Sequence, residues 1–511
     1  MVSSQTSIIS PDTSTALFPE EAPDVSKPSS SCTHFSPFPR IQNNFRNPWY
    51  IAAAVAFSAS NRPEGVPRVF EHALAGLRSA NTNAVLSQSG REEEERLLAQ
   101  NMREAVFQSA LICGYPRAIN GLMALHEVTP EELREKKLLR NPDVSLAGYE
   151  VMGNTYFKTV YGEKAEEVME MLDAVYPDLG WSVRTTCYGL VYVTALPSSS
   201  YSSTQTQTCF LTPLEISYTL VAALIAVDTP RQIAWNLDGA RRVGASVEEL
   251  SSVREVIERV ITLGRGDGLY LKALFPENAS RNGLRNPWYI VAAVAFSASN
   301  RPEGVRRVFE HVLADLRSAN ASSGHSQTVD HQSSDAAQLE ERVLARKMRE
   351  ALFKSGLICG YPRAINGLKA LHEVMPEELK EEKLLRDPNV SLGRYEEVGN
   401  AFFKTVYGEK AEEVMGMLDT VYPDLGTSTP PIDFWGLQLS FCPGCFSRTI
   451  GYGLVYSPTA TQTEILSPLE TSYTLVAALI AVDTPQQIVW HLDGARRGGG
   501  ERGGGAGGER D

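Results

Sequence analysis

The passage SPLETSYTLVAALIAVDTPQQIVWHLDGARR, from Ser467 to Arg497, stands earlier in the chain as TPLEISYTLVAALIAVDTPRQIAWNLDGARR, from Thr212 to Arg242. A chain that repeats itself at this length has to satisfy the same local rules twice, so one reading of the pattern serves both halves. Other blocks recur in the same order. NPWYIAAAVAFSAS from Asn47 is matched by NPWYIVAAVAFSAS from Asn286, and MREAVFQSALICGYPRAINGL from Met102 by MREALFKSGLICGYPRAINGL from Met348. The blocks divide the chain into a first copy at 45–262 and a second at 284–497, joined by a polar linker at 263–283. A lead rich in Ser, Thr and Pro at 1–44 is expected to be disordered, and 498–511 is a Gly-rich tail. Within the second copy, 427–450 has no counterpart in the first and reads as an ill-fitting insertion. The matched apolar faces predict that the copies pack on each other as a pseudo-dimer, with a homo-oligomer of the whole chain as a further option.

The pattern inside the repeated blocks is helical. Pro468 after Ser467, with Glu470 three residues on, has the form of a capping box, and the run from Tyr473 to Val482 is apolar almost all round. Asp483, Thr484 and Pro485 break that run. Thr484 and Gln487 repeat the capping spacing, and Ile488, His491, Leu492 and Ala495 then share one helical face. In the GYP segments, Pro116 and Pro362 are placed to restart a helix in its first turn. Only the short YGLVY pieces have any strand character. The expected class is all-α, built twice.

Composition narrows the partners. A formal net charge of -13 offers no attraction to phosphate backbones or anionic lipid, so neither nucleic acid nor a membrane is expected to bind. Seven cysteines, an odd number scattered over 511 residues, do not form a disulfide framework. With no secretory or Arg-rich presequence pattern and no Ser-Lys-Leu-like ending, the cytoplasm is reached by elimination, mitochondrion and peroxisome being left open.

An acid at the head of a buried helix, a proline-bearing corner and then HLDGARR, followed in the fuller copy by GAS and EE, resembles the carboxymuconolactone decarboxylase and alkyl hydroperoxidase D superfamily. The GYPRAINGL block is similar to the fungal branch of that superfamily. The resemblance implies two tandem alkyl hydroperoxidase D-like helical domains in which the glutamate and histidine face a pocket for a small-molecule substrate. Glu470 and His491 are then the candidate acid and base of a lyase acting on a small carboxylated lactone. Folding the second helix back on the first would bring the two within direct or one-water reach.

The first copy carries Asn236 where the second has His491, and asparagine exchanges no proton near neutrality. Asn236 with Glu215 is therefore at most a binding site, while Arg363 of GYPRAIN is a candidate for holding a substrate carboxylate. Hydroperoxidase members of the superfamily place CxxC before the histidine in a CxxCxxxH pattern; Thr484 and Gln487 stand there instead. Cys442 and Cys445 form the sequence's CxxC, inside the unmatched stretch, and are the redox alternative. A non-catalytic helical scaffold is the third reading, with Glu470 as a helix cap and His491 as core filling. No motif calls for a cofactor or a metal.

Overall fold

In the computed structural model the described residues are 49–81, 87–134, 140, 144–192, 213–229, 232–233, 236–237, 241, 288–323, 331–380, 383–426, 446–456, 465–466, 468–485, 487–488 and 491. The lead at 1–44, the linker, the Gly-rich tail and the Cys442, Cys445 pair lie outside them. Among the described residues the chain is helical, with no strand. The first copy runs through Trp49–Ala59 (α1), Gly65–Asn81 (α2), Gln88–Cys113 (α3), Tyr115–Val128 (α4), Leu146–Tyr161 (α5), Ala165–Val175 (α6), Pro177–Ser182 (α7) and Pro213–Ala226 (α8). The second repeats the order with Trp288–Ala298 (α9), Pro302–Ser323 (α10), His331–Cys359 (α11), Tyr361–Val374 (α12), Leu392–Tyr407 (α13), Ala411–Val421 (α14), Pro423–Gly426 (α15) and Pro468–Ala481 (α16). No helix among the described residues is long and apolar enough to cross a membrane.

Each copy is built around its NPWY helix. Helix α1 has no polar face, and Tyr50 to Ala56 are all buried. Such a helix is stable only when enclosed, and α2, α3, α4 and α8 enclose it. The boundaries follow from local chemistry: the Ser87, Ser145 and Ser391 hydroxyls accept from the backbone N–H groups of Gly90, Gly148 and Arg394, capping α3, α5 and α13. Pro116 and Pro362 stand in the first turns of α4 and α12, as expected.

The YGLVY pieces are not strands. They belong to wide-turned π-helices, Val183–Tyr192 (π1) and Phe446–Tyr456 (π2), a rare form often found at functional sites. Helix α5 crosses π1 so closely that a Cβ on Gly153 would lie 1.8 Å from the Arg184 carbonyl oxygen. The unmatched stretch at 427–450 overlaps π2 at its end. From Phe446 it is drawn into π2, because Phe446 is buried with its ring stacked on Tyr115 at 4.5 Å.

Contacts between the copies are reciprocal, as in a two-fold dimer. Among the described residues four that are not glycine have left-handed backbones: Asn61, Asp228, Asn300 and Asp483. Asparagine and aspartate tolerate that region best, and the four pair off across the interface. Asn61 donates to the Asp483 carbonyl at 2.5 Å, and Asn300 to the Asp228 carbonyl at 2.8 Å. Deeper in, the Tyr422 phenol donates to Glu104, and the Tyr176 phenol donates to Glu350 at 2.7 Å.

Candidate functional site

The corner after α16 puts His491 into the interior, where it is 5% exposed. Its Nε2 stands 3.4 Å from the hydroxyls of both Tyr407, at the end of α13, and Tyr452, on π2. The Tyr452 hydroxyl donates to that of Tyr407 at 3.2 Å, so the three groups form a loose triad. They border a cavity of about 70 Å³ whose other walls are mostly aromatic and aliphatic, with Ser447 and Gln487 as further polar members, and Tyr115, Pro116 and Ile119 of the first copy close it. The site is incomplete without the other copy.

Burial sets the protonation states. It lowers the His491 imidazole to about 4 and pushes the Tyr407 phenol up to about 12 and that of Tyr452 well above its ordinary value. At neutral pH an uncharged imidazole therefore faces two protonated phenols. The same shift ties stability to pH. Because the folded pKa lies below the unfolded value of 6.5, the unfolded chain takes the proton first. The contribution is complete above that value and is lost as pH falls through the folded one. Going from pH 7 to 4.5, wild type should lose about 2–3 kcal/mol relative to His491→Asn. Urea midpoints of both proteins at the two pH values check this; equal slopes would contradict it.

The first copy holds the counterpart, a cavity of about 60 Å³ closed by Tyr361, Pro362 and Ile365 of the second copy. Asn236 occupies the histidine position and donates to the Gln232 carbonyl at 3.0 Å. Beside it the Tyr188 hydroxyl donates to that of Tyr161 at 3.5 Å. Asn236 thus lines a pocket in which no imidazole stands among the described residues.

The other expected residues do not gather there. Glu470 does not meet His491: its Oε1 takes the Lys347 ammonium at 2.5 Å, and it lines no part of the cavity. The reason is distance along the helix. The cavity reaches α16 at Leu479, near the corner, and Glu470 lies nine residues earlier, about 13 Å at the helical rise. Glu215 likewise lies near Tyr50, whose phenol is raised by burial and then by that carboxylate. Arg363 holds no open fork for a substrate. Its guanidinium donates to the Ala298 and Val227 carbonyls, both at 3.2 Å, and so ties α9 to the end of α8 across the interface.

The expected capping box at Thr484 is also replaced. The Thr484 hydroxyl turns back to the Leu479 carbonyl, and the Gln487 amide crosses to Asn120 of the first copy at 2.8 Å. A carbonyl of the preceding turn has taken one side chain and a residue of the other copy the second. Tyr407, Tyr452 and Gln487 are the site residues that sequence reasoning missed; the repeated tyrosines of KTVYGEK and YGLVY were the available signal. Cys113, Cys187 and Cys359 are buried free thiols, each raised by burial, so none is a ready thiolate. Among the described residues no group of three or more His, Cys, Asp or Glu is placed to hold a metal ion.

No family model matches the chain, and no solved structure does. The chain is similar to Peroxisomal protein 2 of Saccharomyces cerevisiae, 27% identical over 252 residues that cover 42% of this chain and 81% of that protein. It is also similar to Peroxisomal protein 2 of Schizosaccharomyces pombe, 28% identical over 218 residues, 42% of this chain and 79% of the relative. Each relative is thus matched over most of its own length by less than half of this chain, the share that one copy occupies.

Proposed function

We propose that the His491 cavity is an acid–base site for a small, mainly apolar molecule, and that the chain is a proton-transfer lyase of the carboxymuconolactone decarboxylase kind. The observation that carries this reading is the triad of His491, Tyr407 and Tyr452 bordering a cavity that the other copy closes. A neutral imidazole is suited to accept a proton, and two protonated phenols are suited to donate to a developing enolate oxygen or carbon. Among the described residues none that lines the cavity is charged at neutral pH, so a carboxylate entering it exchanges water for a mostly apolar wall. Loss of carbon dioxide leaves the electron pair on the substrate as an enolate or carbanion, a phenol proton then neutralises it, and solvent returns the proton to the phenolate. The Asn236 cavity is the non-catalytic twin. The names of the two relatives support a peroxisomal location.

His491→Asn should lower turnover of a small carboxylated lactone by about 10²–10⁴-fold, the usual weight of a general acid–base group. Thermal unfolding at pH 7 should barely move, since the first copy already accommodates asparagine at this position. Tyr407→Phe and Tyr452→Phe should each reduce turnover without emptying the cavity. A folded wild-type protein that turns over no such lactone, or a His491→Asn variant that keeps full activity, rules the lyase reading out and leaves a helical binding scaffold.

A further inference from the structure

Each cavity contains a buried glutamine with one half of its amide committed and the other half unused. Gln232 is 6% exposed and Gln487 5%, and each lines its cavity. The Gln232 Nε2 donates to Asn366 Oδ1 at 3.0 Å, and the Gln487 Nε2 to Asn120 Oδ1 at 2.8 Å, so both NH₂ groups leave for the other copy. In both residues Oε1 is buried without a hydrogen-bond partner.

The orientation of the Gln232 amide is not arbitrary. The Asp228 carbonyl is an acceptor only, so Asn300 must present Nδ2 to it, at 2.8 Å. The Asn300 Oδ1 is then the end that receives Asn366 Nδ2, at 3.1 Å, which leaves Asn366 Oδ1 to receive the Gln232 Nε2. A chain of amides anchored at one backbone carbonyl thus fixes the oxygen as the end of the Gln232 amide left without a partner, in a residue that lines the cavity. Flipping Gln232 would set two carbonyl oxygens against each other. A buried acceptor left unsatisfied is costly, and a mostly apolar cavity lined by the same residue is a place where a ligand can supply the missing donor.

We propose that Gln232 and Gln487 are ligand-binding residues, and that each cavity takes a small apolar molecule carrying one O–H or N–H donor, accepted by the glutamine Oε1. For the His491 cavity this rests on the acid–base reading above. For the Asn236 cavity it does not, because that site contains no imidazole. The copies then share one recognition rule and differ in chemistry: the second binds and transfers a proton, the first only binds.

Pyrrole and furan are suitable probes, being five-membered rings of similar size of which only pyrrole carries an N–H. Titrated into the full-length protein and followed by NMR shifts, pyrrole should bind at two sites about tenfold more tightly than furan. Gln232→Met and Gln487→Met should each abolish that preference at one site and leave the other as in wild type. The preference at the Asn236 cavity involves neither His491 nor lactone turnover, which separates failure of this rule from failure of the lyase reading. Equal affinity for the two probes in wild type overturns the proposal, as does binding of neither, which would leave the acceptors to ordered water. Because that comparison needs only wild type, a variant that does not fold does not decide the matter.

Discussion

Replacing Arg140 with methionine should destabilise the protein by about 3–5 kcal/mol, the usual cost of stranding a buried charge, and the same change at Arg386 should cost less. The two arginines hold equivalent places. Arg140 reaches Glu104 at 2.6 Å and Arg386 reaches Glu350 at 2.7 Å, each beneath a phenol and an aspartate from the opposite copy. Each guanidinium also ties down the end of its π-helix, Arg140 through the Leu190 and Val191 carbonyls and Arg386 through those of Leu454 and Val455. The asymmetry lies one turn along the long helices, where α3 has Gln108 and α11 has Lys354.

Lys354 is fully buried, with its ammonium 3.8 Å from Glu350. Burial acts to raise the Glu350 carboxyl, but Arg386 and then Lys354 outweigh it and hold it below its ordinary value. When Arg386 is lost, Glu350 therefore keeps a cation. When Arg140 is lost, Glu104 keeps only the neutral Gln108 amide and the Tyr422 phenol. Urea midpoints of the two single variants give the ordering, and Lys354→Gln in the Arg386→Met background should raise its cost toward that of Arg140→Met. Equal costs, or the reverse order, would show that the second cation does not matter. Since both clusters take members from both copies, fluorescence and far-UV circular dichroism should report one coincident transition.

The duplication and the helical class were legible because they rest on local signals. Apolar runs without a polar face, serine caps and first-turn prolines act over a few residues and are repeated in the text. What was not legible is whatever depends on which side chain meets which across the interface. Glu470 reads as a partner for His491 until the cavity is found nine residues away along α16, and Arg363 reads as a carboxylate fork until the helix ends it ties are seen. Thr484 and Gln487 have the spacing of a cap, yet Gln487 is taken by an asparagine hundreds of residues earlier in the chain. The π-helices escaped for a related reason: YGLVY has strand propensity, and the close crossing of α5 on π1 overrides it.

The second large effect should come from one methyl group. Gly360→Ala should cost about 1–2 kcal/mol from backbone conformation alone, since Gly360 has φ +89°, which an L side chain resists. The larger part is steric. A Cβ there would lie 1.8 Å from the Ile112 carbonyl oxygen, and one on Gly114 1.8 Å from that of Ile358. Both obstacles are backbone of the opposite copy, so no rotamer relieves them and the ends of α3 and α11 must move apart. Gly76→Ala and Gly416→Ala are the controls: each stands in a helix with nothing near the added methyl, and each should stabilise by up to about 1 kcal/mol. Gly114→Ala and Gly360→Ala together should cost less than their sum, because the first separation already makes room for the second methyl. Chemical denaturation of the two singles and the double measures this directly. Strict additivity would mean that the two glycines relax independently, and a single-variant cost no larger than the conformational part would mean that the copies do not touch there.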